Sequence, residues 1–342
     1  MDIVITYVDG NDPVWKQDYE KAIYYADLVI ESKTAKYQKQ LDKMGGNVSA
    51  EDQMISGYPI ISDKQSNSYG EAYSQIFGIG NSRESIFELN YSSDETMPSN
   101  GAISYYYGNA TTFPGIVKPA EFISTDMTLD NPSVFGHKYD SRYYENMQSS
   151  GSTYGINKYA SSLCLFNASA STPSPSYGGF YSSSNCYANW IVYRLTDVML
   201  MKAEAMVARE NVTEADCREA FKIANTINTR SRIDTTDIMS PFKENDYLTA
   251  DKAIELVRDE RLRELSYEGK RWYDLVRVAL IDKKTDNIKF VADKLESSAV
   301  VKTKMSTIDG LFMPIHIDEL RYNKNLKQNP AYEKENSSTE MN

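Results

Sequence analysis

The chain has 342 residues, enough for one large domain or two modest ones with a substantial core. Its apolar fraction of 41% and charged fraction of 25% are those of a globular chain, and a net charge of −11 disfavours nonspecific binding to nucleic acid, which needs clustered Lys and Arg. No apolar run approaches the length of a transmembrane helix, and neither a secretory apolar stretch nor a lipobox cysteine follows Met1.

In chain order, Ile3, Val4, Ile5, Tyr7 and Val8 predict a short buried strand ended by the turn Asp9-Gly10-Asn11-Asp12-Pro13. From Asp18 to Ser32 the period changes, and Tyr19, Ile23, Ala26 and Ile30, with Ala22 and Val29, predict one face of a helix, while Gly45-Gly46 mark an end to whatever ordered structure follows it. Residues 47–187 carry many Gly, Ser, Asn and Pro and no sustained helical period, apart from short apolar runs such as Ser85–Leu89. Such a length is too great for a plain linker and predicts a loop-rich lobe with short strands, the kind of surface on which binding residues sit. The lobe also holds 15 of the 26 tyrosines, between Tyr58 and Tyr187. Tyrosine offers a flat, rigid face and a hydroxyl donor, suited either to stacking on a sugar ring or to packing strands against a helical body.

After Asn189 the pattern turns helical. Ile191, Leu195, Val198, Met199 and Met206 recur at helical spacing, with Ala203, Ala205 and Ala208 permitting close approach of a neighbour, and Ala220, Ala224 and Ile227 make a second such face. A third helix is expected from Thr249 as N-cap, with Asp251 in its first turn and Ile254, Val257, Arg261, Leu262 and Leu265 before Gly269. Trp272, Leu275 and Val276 belong to a short helix beyond it, and 333–342 is a polar tail. Helical pairs with small residues at their crossings are similar to tetratricopeptide stacking without its strict repeat.

The charged residues read as structure rather than chemistry. Arg258, Arg261, Arg263, Arg271 and Arg277 alternate with Asp259, Glu260, Glu264, Glu268 and Asp274, which predicts ion pairs, including Asp259–Arg263 and Glu260–Arg263 at helical spacing. Arg194 is expected to partner Asp197, three residues on, and Asp197 and Glu204 share a face two turns apart. His137 and His316 are isolated, and Cys164, Cys186 and Cys217 fit no zinc spacing, so no metal or cofactor is expected. A Cys164–Cys186 bridge stays open beside three unconnected thiols. There is no G-x-S-x-G elbow and no nucleotide-binding glycine pattern in a strand-turn-helix context.

Three blocks, in order, resemble the SusD/RagB family of outer-membrane nutrient-binding lipoproteins: Tyr193–Ala205, Val257–Arg277, and Leu311–Ile315 followed by Asn325–Pro330. The resemblance covers about residues 20–332. Departures fall at Asn228, where the family usually has Arg, at Thr196 in place of alanine, at an inserted Met313, and at Ala331 in place of glycine. The resemblance implies a mainly α fold, tetratricopeptide-like helical pairs carrying a loop-rich lobe with short strands. On this reading 18–332 is one domain, with lobe 47–187 and helical body 188–332, and 1–17 is a segment of different character. It further implies noncatalytic binding of an oligosaccharide, or of a peptide as in RagB-like members. The ligand passes to a TonB-dependent, SusC-like transporter at the outer-membrane surface. Family members carry a signal peptide, a lipidated cysteine and further N-terminal helices. The encoded protein is therefore expected to be longer, because nothing ahead of the first helix covers its Ile23, Val29 and Ile30 face.

The family's binding aromatics lie in variable loops, so candidates come from placement: Tyr105, Tyr106, Tyr107, Tyr139, Tyr143, Tyr144, Tyr181 and Trp190. Tyr105–Tyr107, read as a strand, is the preferred platform, with only one or two rings able to face one ligand. Residues Asp2–Trp15 separately resemble the first conserved region of the stealth family of capsular-polysaccharide phosphotransferases, in which Asp9 or Asp12 would be a catalytic or metal-binding carboxylate. A plain turn at Asp9–Pro13 is the preferred reading of that segment.

Overall fold

The computed structural model describes residues 14–49, 52–65, 68–92, 99–108, 115–119, 134–135, 140–150, 153–167, 175–180, 186–233, 242–288, 291 and 299–333. Their contacts divide them into two compact units, 14–268 and 269–333. The fold is mainly α, as expected. The stealth-like strand and turn lie outside the described residues, and Val14 and Trp15 already belong to the first helix.

That helix, α1 (Val14–Met44), is longer than the apolar period predicts. Tyr19, Ala26, Ile30 and Tyr37 are its buried apolar side chains among the described residues, at spacings of four and seven. Its second half lacks an apolar stripe and is held by polar contacts. The Tyr37 hydroxyl donates to the Asp52 carbonyl at 2.7 Å, and the Arg83 guanidinium lies 4.4 Å over the Tyr37 ring. The face expected to lack a cover has one: α1 packs on α5 (Leu195–Ala208), with Ile30 buried and Val29 against the same core. The uncovered residues, Tyr24, Tyr25 and Leu28, lie on the other side.

Helix α5 is the centre of the first unit, touching α1, α6 (Glu214–Arg230) and α7 (Ala250–Leu265). Ala203, Ala220, Ala224 and Ala253 are fully buried at these crossings, where a methyl group lets helices approach and Leu195, Met199, Ile223, Ile227 and Val257 fill the gaps. Thr213 and Asp216 form a reciprocal capping box at the start of α6, and Thr249 stands at the N-cap position of α7.

The lobe is built of short antiparallel strands. β1 (Lys64–Gln65), β2 (Ser68–Tyr69), β6 (Ser161–Asn167) and β7 (Pro175–Phe180) form one sheet in that order. β3 (Ser85–Leu89) pairs with β8 (Trp190–Arg194), and β4 (Met147–Ser150) with β5 (Thr153–Ile156). Between β2 and β3 the chain forms a single helical turn, α2 (Glu71–Tyr73), continued by wider turns through Ile79. Tyr73, Phe77, Tyr159, Cys164, Phe166, Cys186 and Ile191 form the lobe's own core. Gly70 precedes α2 with φ +103°, and a Cβ there would stand 1.9 Å from the Cys164 carbonyl oxygen, so the strand crossing admits only glycine. All three cysteines are buried and unbridged.

In the second unit α8 (Arg271–Asp282) gathers Leu275, Val276 and Ala279 with Ile288 and Leu311. α9 (Ala299–Met305) and α10 (Ile317–Tyr322) follow. Gln328 clamps the closing block, accepting from the Ile315 N–H and donating to the Ile315 carbonyl, both at 2.9 Å. His316 caps α10 locally through Nδ1, which accepts from the Asp318 N–H at 3.3 Å. No helix among the described residues is long and apolar enough to cross a membrane.

Candidate functional site

Two short helices of the lobe carry four of the aromatic candidates: α3 (Gly101–Tyr106) holds Tyr105 and Tyr106, and α4 (Ser141–Asn146) holds Tyr143 and Tyr144. Tyr105 and Tyr106 stand on a helix, not on the expected strand. Asn100 decides this: its side-chain oxygen accepts from the Ile103 N–H at 3.4 Å and its amide donates to the Ala188 carbonyl at 2.9 Å. Ile103, 2% exposed, then roots the turn in the lobe core. At the other end the Tyr107 hydroxyl donates to the Tyr267 carbonyl at 2.9 Å, and burial, with Glu268 adding to it, pushes that phenol up to about 12.

With both ends fixed, Tyr105 (60% exposed) and Tyr106 (46%) project into solvent with ring centroids 5.1 Å apart at 80°. Residues 115–119 run beside them. Ile116 and Val117 donate their N–H groups to the carbonyls of Tyr105 and Tyr106 at 3.2 and 3.1 Å, and both side chains are exposed. Gly115 makes this approach possible, since a Cβ there would stand 2.3 Å from the Tyr106 carbonyl oxygen. The result is an apolar ledge edged by two phenol hydroxyls, held by backbone hydrogen bonds rather than by the rings.

The other candidates are placed differently. Trp190 is half-buried and stacked on the buried Tyr159 at 5.2 Å and 23°. Tyr143 and Tyr144 are half-buried on α4, edge to face with each other at 4.9 Å, and Tyr144 packs on Phe166 at 5.3 Å. Tyr139 and Tyr181 lie outside the described residues.

Beneath the lobe runs a buried ion-pair network. Arg194 makes a two-pronged contact with Glu268 at 2.7 and 2.8 Å and meets Glu264 Oε1 at 2.7 Å. Arg142 joins Asp140 and Glu260, each at 2.6 Å, and Glu264 at 3.1 Å. Arg230 bridges Glu84, at 2.9 Å, and Glu264. Lys158 meets Glu268 at 2.7 Å and donates to the carbonyls of Glu264 and Ser266, covering the end of α7. Arg263 meets Glu260 at 2.8 Å. Five carboxylates therefore face five cations. Burial pushes Glu264 up, but Arg230, Arg194 and Arg142 outweigh it and hold the carboxyl well below the usual range. The same opposition, with Arg142 and Arg263 at Glu260 and Arg194 and Lys158 at Glu268, holds both of those down.

The expected Arg194–Asp197 partnership is corrected. Arg194 ends β8 in extended backbone (φ −135°, ψ 166°), so its side chain leaves the strand toward α7 instead of lying a helical turn from Asp197. Asp197 instead meets Arg261 at 3.1 Å, and Glu204 meets Arg258 at 3.1 Å. Asp274 meets Arg277 at 3.3 Å, while Arg271 and Asp259 have interactions of their own. Residues that sequence reasoning missed are Glu84, Asp140, Arg142, Lys158 and Arg230. The one signal for the lobe members was an isolated charge in a Ser- and Tyr-rich stretch. Among the described residues no group of His, Cys, Asp or Glu is arranged to hold a metal ion.

A model of the SusD family matches residues 60–332. SusD-like protein P2 of Formosa agariphila is 34% identical over 92 residues, 27% of this chain and 17% of that protein. A SusD superfamily protein from Bacteroides vulgatus superposes with a TM-score of 0.51 at 19% identity, over 93% of this chain and 56% of the other. A SusD homolog from Bacteroides thetaiotaomicron gives 0.50 at 18% identity, over 93% and 55%. The chain thus spans about half the length of these solved relatives, and at such identities the likeness is one of fold.

Proposed function

The chain belongs to the SusD family, and from that premise we propose that it binds an oligosaccharide without cutting it and passes it to a TonB-dependent, SusC-like transporter at the outer-membrane surface. The observation that supports this reading is the ledge of Tyr105 and Tyr106, exposed yet fixed by Asn100, Ile103 and Tyr107. A sugar offers a C–H face to one ring and hydroxyls to the phenol oxygens, and a platform that is already ordered loses little entropy on binding. The ion-pair network joins lobe residues such as Arg142 and Lys158 to Glu260, Glu264 and Glu268 of the helical body, which is a scaffold role.

Calorimetry against a panel of oligosaccharides, with product analysis of the same mixtures, tests both halves. Tyr105→Ala and Tyr106→Ala are each expected to weaken binding about tenfold, from roughly 1.5 kcal/mol of lost ring contact. Tyr322→Ala, at a tyrosine 88% exposed in the second unit, is expected to change nothing. Cleavage of the sugar by pure protein, abolished by one Asp or Glu substitution, would overturn the noncatalytic reading. Binding of peptides in place of sugars, still sensitive to Tyr105, would move the ligand to the RagB-like class.

A further inference from the structure

Asp63 and Glu145 are two buried carboxyls that stand against the ion-pair network without belonging to it. Asp63 lies just ahead of β1 and Glu145 within α4, 2% and 8% exposed. Asp63 Oδ1 accepts from the N–H groups of Gly70 and Ala72 at 3.2 and 3.3 Å. Asp63 Oδ2 and Glu145 Oε1 have no hydrogen-bond partner among the described residues. Ser141 is close enough to act on the charge of both carboxyls but makes a well-formed hydrogen bond to neither. Both carboxyls line a cavity of about 20 Å³, room for one water.

Charge decides what this pair is. The five carboxylates and five cations of the network balance, and neither Asp63 nor Glu145 forms an ion pair among the described residues. Arg230 from α6, whose charge acts on both carboxyls, already serves Glu84 and Glu264. Arg142 at the start of α4, Arg194 at the end of β8 and Lys158 after β5 also line the cavity, and each is bound to its own carboxylates. Glu264 from α7 and Tyr73 from α2 line the same space, the Asp140 charge acts on Glu145, and burial, with the charges of Glu145 and Asp63 adding to it, pushes the Cys164 thiol of β6 up. Two more anions here would be uncompensated and shielded from water, which a proton avoids.

We propose that Asp63 and Glu145 hold at least one proton between them at neutral pH, and that this proton fastens α4 to the segment ahead of β1, so that its loss at higher pH loosens the joint. Burial pushes Asp63 up to about 6, against the pull of Ser141 and Arg230. Burial, with the Asp63 charge adding to it, carries Glu145 well above the usual carboxylate range. A carboxyl raised on folding contributes stability that is complete below its unfolded value and is lost as pH rises through its folded value. Burial pushes Lys158 down, an effect that leaving Lys158 untouched keeps common to the proteins compared below.

The test compares the whole chain with its Asp63→Asn, Glu145→Gln double variant, whose amides imitate the protonated pair. Between about pH 5 and about pH 8 the melting temperature of the wild type is expected to fall more steeply than that of the variant. On urea unfolding in unbuffered solution near pH 7, the wild type is expected to release about one to two protons more than the variant. Equal proton counts overturn the proposal, and the count decides where it disagrees with the melting slopes. If the double variant does not fold, the Glu145→Gln single variant takes its place: a wild-type release about one proton larger supports the pair, and equal counts overturn it.

Discussion

Arg194 sits 2% exposed where β8 becomes α5, and its guanidinium reaches Glu268, Glu264 and the Glu264 carbonyl. Thr196, where the family usually has alanine, adds its hydroxyl as a further acceptor for the same guanidinium. Removing such a cation takes one partner from each of two buried carboxylates, a far larger loss than the net contribution of an ion pair to folding. Arg194→Ala is expected to destabilise the chain by about 3–5 kcal/mol in urea unfolding, whereas Arg218→Ala, at an exposed pair with Glu214 and Glu244, is expected to leave the unfolding midpoint almost unchanged. Asn228 works at the same scale. It stands where the family has arginine, and its amide donates to Glu260 at 3.2 Å, so the network there is completed by Arg142 and Arg263 instead.

Among the elements, α6 is the one whose start is specified most fully by its own residues. The Thr213 hydroxyl accepts from the Asp216 N–H at 3.2 Å, and Asp216 accepts from the Thr213 N–H at 2.9 Å. Arg209 adds a contact to Asp216 at 2.7 Å, and these donors hold the Asp216 carboxyl below its usual value against the push of burial. Thr213→Ala is expected to cost about 0.5–2 kcal/mol by the same urea measurement, because one N–H at the helix start loses its acceptor. The short helix α3 has no comparable autonomy. Its six residues owe their conformation to Asn100, Ile103 and Tyr107, each tied to a distant segment.

For the whole molecule, the two sets of buried carboxyls act on stability in opposite directions. Glu260, Glu264 and Glu268 are held below their usual range. Their contribution is therefore present above the unfolded value near 4.5 and is lost as pH falls through the folded values. Asp63 and Glu145 take stability away as pH rises. Stability is accordingly expected to peak in mildly acidic solution, with a cooperative loss on further acidification, followed by circular dichroism from about pH 7 down to about pH 3. Glu264→Gln is expected to be less stable at neutral pH and to show a shallower acid-side decline, since it removes the carboxylate that Arg142, Arg194 and Arg230 share.

What the sequence by itself determined is what depends on near neighbours along the chain. Ala203, Ala220 and Ala224 mark helix crossings through their spacing, Thr249 marks a helix start, and the blocks at 193–205, 257–277 and 311–330 carry the family and with it the mainly α fold. What only the tertiary structure decided is which distant groups meet. Arg142 and Lys158 sit in a stretch without period, so nothing local pairs them with Glu260, Glu264 and Glu268, more than a hundred residues away. Arg194 illustrates the limit: counting along a helix points it at Asp197, while the extended backbone at the end of β8 sends it to α7. The same holds for the tyrosines. Tyr105, Tyr106 and Tyr107 are alike in sequence, and exposure of the first two beside partial burial of the third follows from the residues that close around α3, a long-range fact that no local pattern encodes.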